Sequence, residues 1–538
     1  MKAPLSQYPG MNPFVLDWLA GDERFLRRDQ SPLPAPRGEG QGEGHELRTP
    51  SPLTLALSPA GRGDLASALD RSNRHWGIFA KDAILRWAAG ETRTIIAGQQ
   101  VGFAGGPLYT LAKVASIVKM KRALERQGTP ATAMFWLATE DHDFDEVATL
   151  NVPARLTNAQ SQLDLLCIRA SRGVDSRAAV GSLPIPEPLI TQLLAFFDIP
   201  RPAWLREGIT FRDSFAELIA SVFGNEVILV DALLPELRRA GAPLFDAIVS
   251  KHDAIHDALT QRGRALAAAG YKEQVVPNEH GQYTLLYELD EHGHRQTAVP
   301  RGASDPRSSS GDRGTEELRG TPRNAERIST SALTRPLLQD SVLRPDVFVG
   351  GPAEVAYYAQ IAPLHELLGI AMPRVALRGH VLVAPKRVVR ALERYDLEAP
   401  EVFASAESLI AEREPEGVAQ IRTILDEGKR ELMQRIAQVG ELALPADHSL
   451  ASSIQRSIGH LEFHFSKLGE RAIKGLVRKD RERYAALREV VSTLYPDRHV
   501  QDRTVSWFAY WHVYGAGITE QILEEVEPDS AFFKIAVL

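Results

Sequence analysis

The chain has 538 residues, 44% of them hydrophobic and 24% charged, enough for roughly two to four domains and unlike either a disordered chain or a membrane protein. Lys plus Arg total 62 against 69 Asp plus Glu, a formal net charge of -7, which excludes the basic footprint of general nucleic-acid binding. The single cysteine, Cys167, excludes an intrachain disulfide and a multi-thiolate zinc site, and it suits a reducing compartment.

Residues 1–14 show no basic segment leading into an apolar one, and no later run is long and uncharged enough to span a bilayer. A cytoplasmic protein is therefore expected. Two stretches, 29–63 and 300–328, are rich in Gly, Pro, Ser and charge and lack apolar periodicity, so they are expected as disordered insertions within globular sequence. Between them, Asn73 and Arg74 are polar candidates that serve either the surface or a site.

Residues 94–97 read as a β-branched strand, the loop GQQVGFAGG follows, and Pro107 opens a helix in which Leu108, Leu111, Ala115 and Val118 recur at helical spacing. Residues 133–138 read as a second strand, completing a βαβ unit. Its strands are parallel, so the two following loops emerge at one carboxyl edge, where open α/β sheets bind ligands. The first loop brings Gly98, Gln99, Gln100, Gly102, Gly105 and Gly106 to a helix N-terminus suited to phosphate or carboxylate. Tyr109 and Lys113 lie one turn apart on one helix face, Lys113 serving equally well in solvent or in a site. The second loop crowds Glu140, Asp141, Asp143, Asp145 and Glu146 around His142, a pattern for general acid/base work or Mg2+, or else an acidic cap on the next helix.

Cys167 sits in the apolar stretch 163–168 and reads as a buried, inert thiol. Residues 211–223 read as an amphipathic segment and 227–231 as a strand, with 150–225 and 250–298 otherwise connecting. Residues 346–349 lead through Gly350 and Gly351 into a helix over 353–368, repeating the strand, Gly-Gly-Pro, helix order. Glu354, Tyr357, Tyr358 and His365 follow on that helix, half of the tyrosine pair being expected in the core. Strands near 374–377 and 381–384 are expected to complete the sheet. From about residue 415 the apolar residues fall on a heptad stripe through Leu425, Leu432 and Ile436, then through Ile454, Leu461 and Phe465, with a bend at 442–448. This is a helical hairpin, either a dimerising coiled coil or two helices packed on their own domain. Gln501 and Arg503 beyond it are polar candidates for surface or site.

The runs AGQQVGFAGGPLYTLAKVASIVKM, FWLATEDHDFDEV and VGGPAEVAYYAQIAPLHELLGI, followed by PKRVVRALERYDL and the hairpin, resemble the BshC family of cysteine ligases of bacillithiol biosynthesis. The resemblance covers most of the chain outside the insertions. It implies an α/β fold: a Rossmann-like parallel sheet core with connective-peptide insertions over 1–390, an α-helical coiled-coil domain over 391–500, and a segment over 501–538 returning to the core. It implies joining of L-cysteine to glucosaminyl malate, with ATP or ADP bound, Mg2+ compatible, and a homodimer through the coiled coil. With it, His142 or Asp143 would assist proton transfer and Gln99, Gln100 and Tyr109 would position substrate or phosphate; taken with the reading of the loops, His142, Asp143 and Asp141 are the catalytic candidates. Gln99, Gln100, Gly105, Gly106, Tyr109, Lys113, Gly350, Gly351, Glu354 and Tyr357 are substrate or nucleotide candidates. A metal-dependent hydrolase using 140–146 and a non-enzymatic nucleotide-binding assembly protein are the rival readings.

Overall fold

The computed structural model describes residues 1–28, 59–157, 164–170, 178–278, 281–290, 294–297, 324–413, 415–445, 447, 449–479 and 485–538. Most of the two expected insertions, 29–58 and 300–323, lies outside these residues. Their ends are ordered: 59–63 open a helix spanning Pro59–His75, and 324–328 lead into a strand.

The described strands, in chain order, are β1 (Lys2–Pro4), β2 (Arg93–Gln99), β3 (Ala131–Leu137), β4 (Thr149–Pro153), β5 (Leu165–Arg169), β6 (Ile228–Asp231), β7 (Leu286–Leu289), β8 (Arg295–Thr297), β9 (Ile328–Thr330), β10 (Val347–Gly350), β11 (Arg374–Leu377), β12 (His380–Ala384) and β13 (Phe532–Val537). Five helices matter below: α1 (Leu108–Arg126), α2 (Arg335–Leu343), α3 (Pro352–Leu368), α4 (Pro415–Ala443) and α5 (Leu450–Lys479).

The core is a sheet ordered β11-β10-β2-β3-β6, with every adjacent pair parallel. Parallel strands are covered on both faces and so read as unbroken apolar runs; every residue of β3, β6 and β10 is buried. From β2 the chain steps outward through β3 to β6, then returns to the other side of β2 for β10 and β11. The order thus reverses at the β2/β10 boundary, and the crevice beyond the carboxyl ends of these two strands is where such a sheet leaves room for a ligand.

β12 does not complete this sheet as the sequence suggested. It lies in a separate sheet ordered β1-β13-β12. Only Arg378 and Gly379 separate it from β11, and a parallel neighbour needs a crossover of a dozen or more residues. A side chain at Gly379 would also overlap Val526. Cys167 is exposed, not buried: it alternates with fully buried Ile168 on β5, which pairs antiparallel with β4, so its outward face is set by strand register.

The chain divides into two compact units, one of Met1–Val383 with Gln501–Ala536 and Leu538, the other of Ala384–Val500 with Val537. Within the second, α4 and α5 form an antiparallel hairpin. Cβ positions built at Gly440, Gly428 and Gly417 face Ile454, Phe465 and Leu476 in turn, and Lys429 pairs with Glu462 at 2.8 Å. Ile424, Phe463 and Leu468 are more than half exposed on this hairpin.

Candidate active site

A cavity of ≈ 650 Å³ opens at the β2/β10 boundary, lined among others by Gly98, Gln99, Gln100, Phe348 and Gly351. A smaller one of ≈ 320 Å³ is lined by residues including Gly102, Gly106, Asn151, Arg169 and Ser506. Gln99, Gln100, Tyr109, Glu146 and Arg503 line both.

Between the cavities and α3 runs a chain of polar contacts. Gly351 N–H donates to Glu354 at 2.7 Å, and Lys113 Nζ lies 2.5 Å from the same Glu354 oxygen. Lys113 also donates to Gln99 Oε1 at 2.8 Å and to Gly98 O at 3.0 Å; Gln99 Nε2 in turn donates to Tyr109 Oη at 3.0 Å. Lys113 is 3% exposed, so the alternative of a solvated lysine is excluded. Burial lowers its pKa while Glu354 works the other way. The Arg378 guanidinium lies 5.5 Å from the Tyr109 ring centroid and pairs with buried Asp502 at 2.8 Å. Burial above all drives the Tyr109 phenol upward, so Tyr109 stays neutral and acts as a hydrogen-bonding group.

The larger cavity's charged lining comprises Lys113, Arg335, Arg378 and Arg503 against Glu146 and Glu354, an excess of cations that favours an anionic ligand. Trp136 and Tyr357 also line it, and Trp136 Nε1, Tyr357 Oη and Gln100 Oε1 are buried without a hydrogen-bond partner. Buried polar atoms in folded proteins nearly always have partners. Three that lack them, all on residues of the cavity wall, are groups that a bound molecule would satisfy.

The acidic segment after β3 does not converge. Glu140 turns inward to accept from Ser329 Oγ at 2.9 Å and Thr330 Oγ1 at 2.5 Å. Asp141 accepts from Gln100 Nε2 at 2.6 Å and lies 3.5 Å from Arg335; burial opposes its ionisation, but Arg335, the His142 amide and Arg295 hold it below the usual carboxylate range. His142 is half exposed, its Nδ1 3.2 Å from Arg295. Asp143 is exposed and caps the short helix behind it by accepting from Glu146 N–H at 3.0 Å. His142, Asp143 and Asp141 therefore line neither cavity. The cause is backbone pairing: Val180 N–H donates to Asp141 O and Gly181 N–H to Thr139 O, which fixes the segment's turn. Glu146 is the member that reaches both cavities. Among the described residues no cluster of three His, Cys, Asp or Glu side chains is placed to hold a metal ion, so the hydrolase reading loses its converging ligands.

The glycines divide as well. Gly350 and Gly105 are packing positions. The amide of Arg378 donates to Gly350 O at 2.8 Å. Trp507 covers Gly105, donating from Nε1 to Gly105 O at 2.9 Å, and a side chain there would overlap the indole. Gly106 lines the smaller cavity and Gly351 the larger. Of the outlying candidates, Asn73 is buried and bonds both the amide and the carbonyl of Leu229, pinning edge strand β6. Gln501 does the same for Val383. Arg74 pairs with Asp70 at the surface, and His365 is buried against Asp340 at 2.9 Å. Arg335 and Arg378 were not singled out by sequence. Arg378 carried a signal, because it directly follows β11 at the carboxyl edge; Arg335 carried none.

The N-terminal Rossmann-like domain of BshC, described as bacillithiol biosynthesis, matches residues 53–379. The chain belongs to the BshC family. The C-terminal coiled-coil domain of the same family matches residues 381–538. Relatives named "Putative cysteine ligase BshC" include one from Koribacter versatilis, 30% identical over 88% of this chain and 89% of its own. Another from Solibacter usitatus is 28% identical over 89% and 90%, and one from Bacillus cereus is 27% identical over 81% and 82%. The match to the coiled-coil domain of BshC includes Arg503 and Trp507, which in this structure belong to the unit containing the parallel sheet. Among the described residues no helix is long and apolar enough to cross a membrane.

Proposed function

We propose that this protein is a ligase that joins the carboxyl group of L-cysteine to the amine of glucosaminyl malate, forming the amide of bacillithiol. The observation that carries this reading is a cavity with excess cationic lining and three unpartnered polar groups at the sheet's switch point, in a chain whose relatives are named cysteine ligases. A carboxylate does not react with an amine unless its oxygen is first made a leaving group. ATP supplies that chemistry, through an acyl phosphate or adenylate, with Mg2+ accompanying the nucleotide.

The residues present fit an anionic phosphate, but through side chains more than through the glycine turns. Trp507 closes over Gly105 and Glu354 already accepts the Gly351 amide. Arg335 and Arg378 on the larger cavity's wall are the groups we assign to the phosphate, as electrostatic stabilisers of the charge that develops there. Gln99 and Tyr109, fixed by Lys113, orient substrate. We also propose a homodimer formed through the hairpin, supported by the exposure of Ile424, Phe463 and Leu468.

Incubating the purified protein with cysteine, glucosaminyl malate and ATP-Mg2+ and assaying bacillithiol by mass spectrometry tests the reading. Product dependent on all three is expected; absence of both product and nucleotide binding overturns it.

A further inference from the structure

Two substrates that must meet need two compartments and a shared wall. Five residues form the wall common to the two cavities: Gln99, Gln100, Tyr109, Glu146 and Arg503. Three are already engaged. Gln99 and Tyr109 bond each other, and Gln100 is held on Asp141. The other two are charged and largely unengaged. Among the described residues no hydrogen bond or ion pair reaches the Glu146 carboxylate, and the contact made by Arg503 is a 3.3 Å hydrogen bond to Gly10 O. Glu146 is solvent-accessible and Arg503 half-buried, so neither charge is committed to a structural ion pair and both are available to a ligand at this partition.

We propose that the smaller cavity receives the amine acceptor, that Glu146 removes the proton from the attacking nitrogen, and that Arg503 binds a carboxylate of the acceptor. This rests on the ligase reading above. The neutral amine attacks the acyl carbon of the activated cysteine, forming the C–N bond. Glu146 takes the N–H proton, the C–O bond to the phosphate breaks with its electron pair, and the phosphate or nucleotide leaves. Glu146 then returns its proton to water. Burial, then the neighbouring carboxylates of Asp143 and Asp141, raise the Glu146 pKa against the opposing pull of Lys113 and Arg335, which suits a proton acceptor. The smaller cavity is otherwise lined by hydrogen-bonding groups that suit a sugar, including Thr149, Asn151 and Ser506.

The test uses the full-length protein and steady-state kinetics of amide formation. Glu146→Gln is expected to lower kcat by roughly 10²- to 10⁴-fold, leave the KM of cysteine within about a factor of three, and abolish the acid limb of the pH profile. Glu146→Asp is expected to restore part of the rate and that limb. Hydroxylamine, which needs no base to attack, is expected to capture activated cysteine as the hydroxamate in the Glu146→Gln variant. Arg503→Gln is expected to raise the KM of glucosaminyl malate about tenfold or more, while that of methyl glucosaminide, which has no carboxylate, is unchanged. Wild-type kcat or an unaltered pH profile in Glu146→Gln overturns the assignment of Glu146. Equal effects of Arg503→Gln on both acceptors overturn that of Arg503. If the wild-type protein forms no amide, the ligase reading fails first; if it forms amide and the variants match it, the inference alone fails.

Discussion

The Arg378–Asp502 pair sets up a quantitative test of the site's foundation. Its atoms are 2.8 Å apart and the two side chains are 2% and 0% exposed. Arg378 also forms part of the cavity wall. Burial, followed by the charge of Asp502, pushes the Tyr8 phenol well above its ordinary value. Asp502→Ala leaves Arg378 buried without its counter-ion, a change that costs about 3–5 kcal/mol. With a urea slope near 3 kcal/mol/M, the unfolding midpoint falls by about 1–1.7 M. Tryptophan fluorescence is the right probe, because all 7 tryptophans lie in the unit containing the parallel sheet. Replacing both partners, as Arg378→Met with Asp502→Leu, removes the desolvated charges together, and the midpoint is expected to lie closer to wild type than that of Asp502→Ala. A midpoint for Asp502→Ala within about 0.2 M of wild type, or strict additivity of the two changes, would refute the picture of a desolvated pair.

The same structure sets three further expectations. Glu146 binds its proton more tightly folded than unfolded, so the folded state loses stability as pH rises from the unfolded value of 4.5; Glu146→Gln should unfold at higher urea than wild type near neutral pH, the gap closing as pH falls toward 4.5. His380 is fully enclosed and, through burial first and then Arg378, sits well below its ordinary 6.5. Its neutral form therefore supports folding above pH 6.5, and that support is lost on acidification; in His380→Phe the urea midpoint should decline less between pH 7 and 5. Gly105→Ala drives a methyl group into Trp507 at a backbone φ of 82°, and we expect a loss of roughly 1–3 kcal/mol with a shift in tryptophan emission.

The sheet's strands were legible because parallel strands buried on both faces leave continuous apolar runs, as over β3 and β10. The hairpin was legible because its heptad stripe is local. The glycine loops, Tyr109 and Lys113 could likewise be placed at the carboxyl edge from the βαβ grammar alone. Only the tertiary structure decided the strand order that puts Gly351 beside Gln99, since pairing between strands some 250 residues apart leaves no trace in local periodicity. It also decided which way each acid turns. His142 and Asp143 were chosen by their chemistry, but backbone bonds to Val180 and Gly181 fix the segment so that Glu146 faces the cavities. Arg335 and Arg503 arrive there from distant parts of the chain. Side-chain direction is set by contacts made across the fold, and a one-dimensional pattern contains the residue but not the contacts.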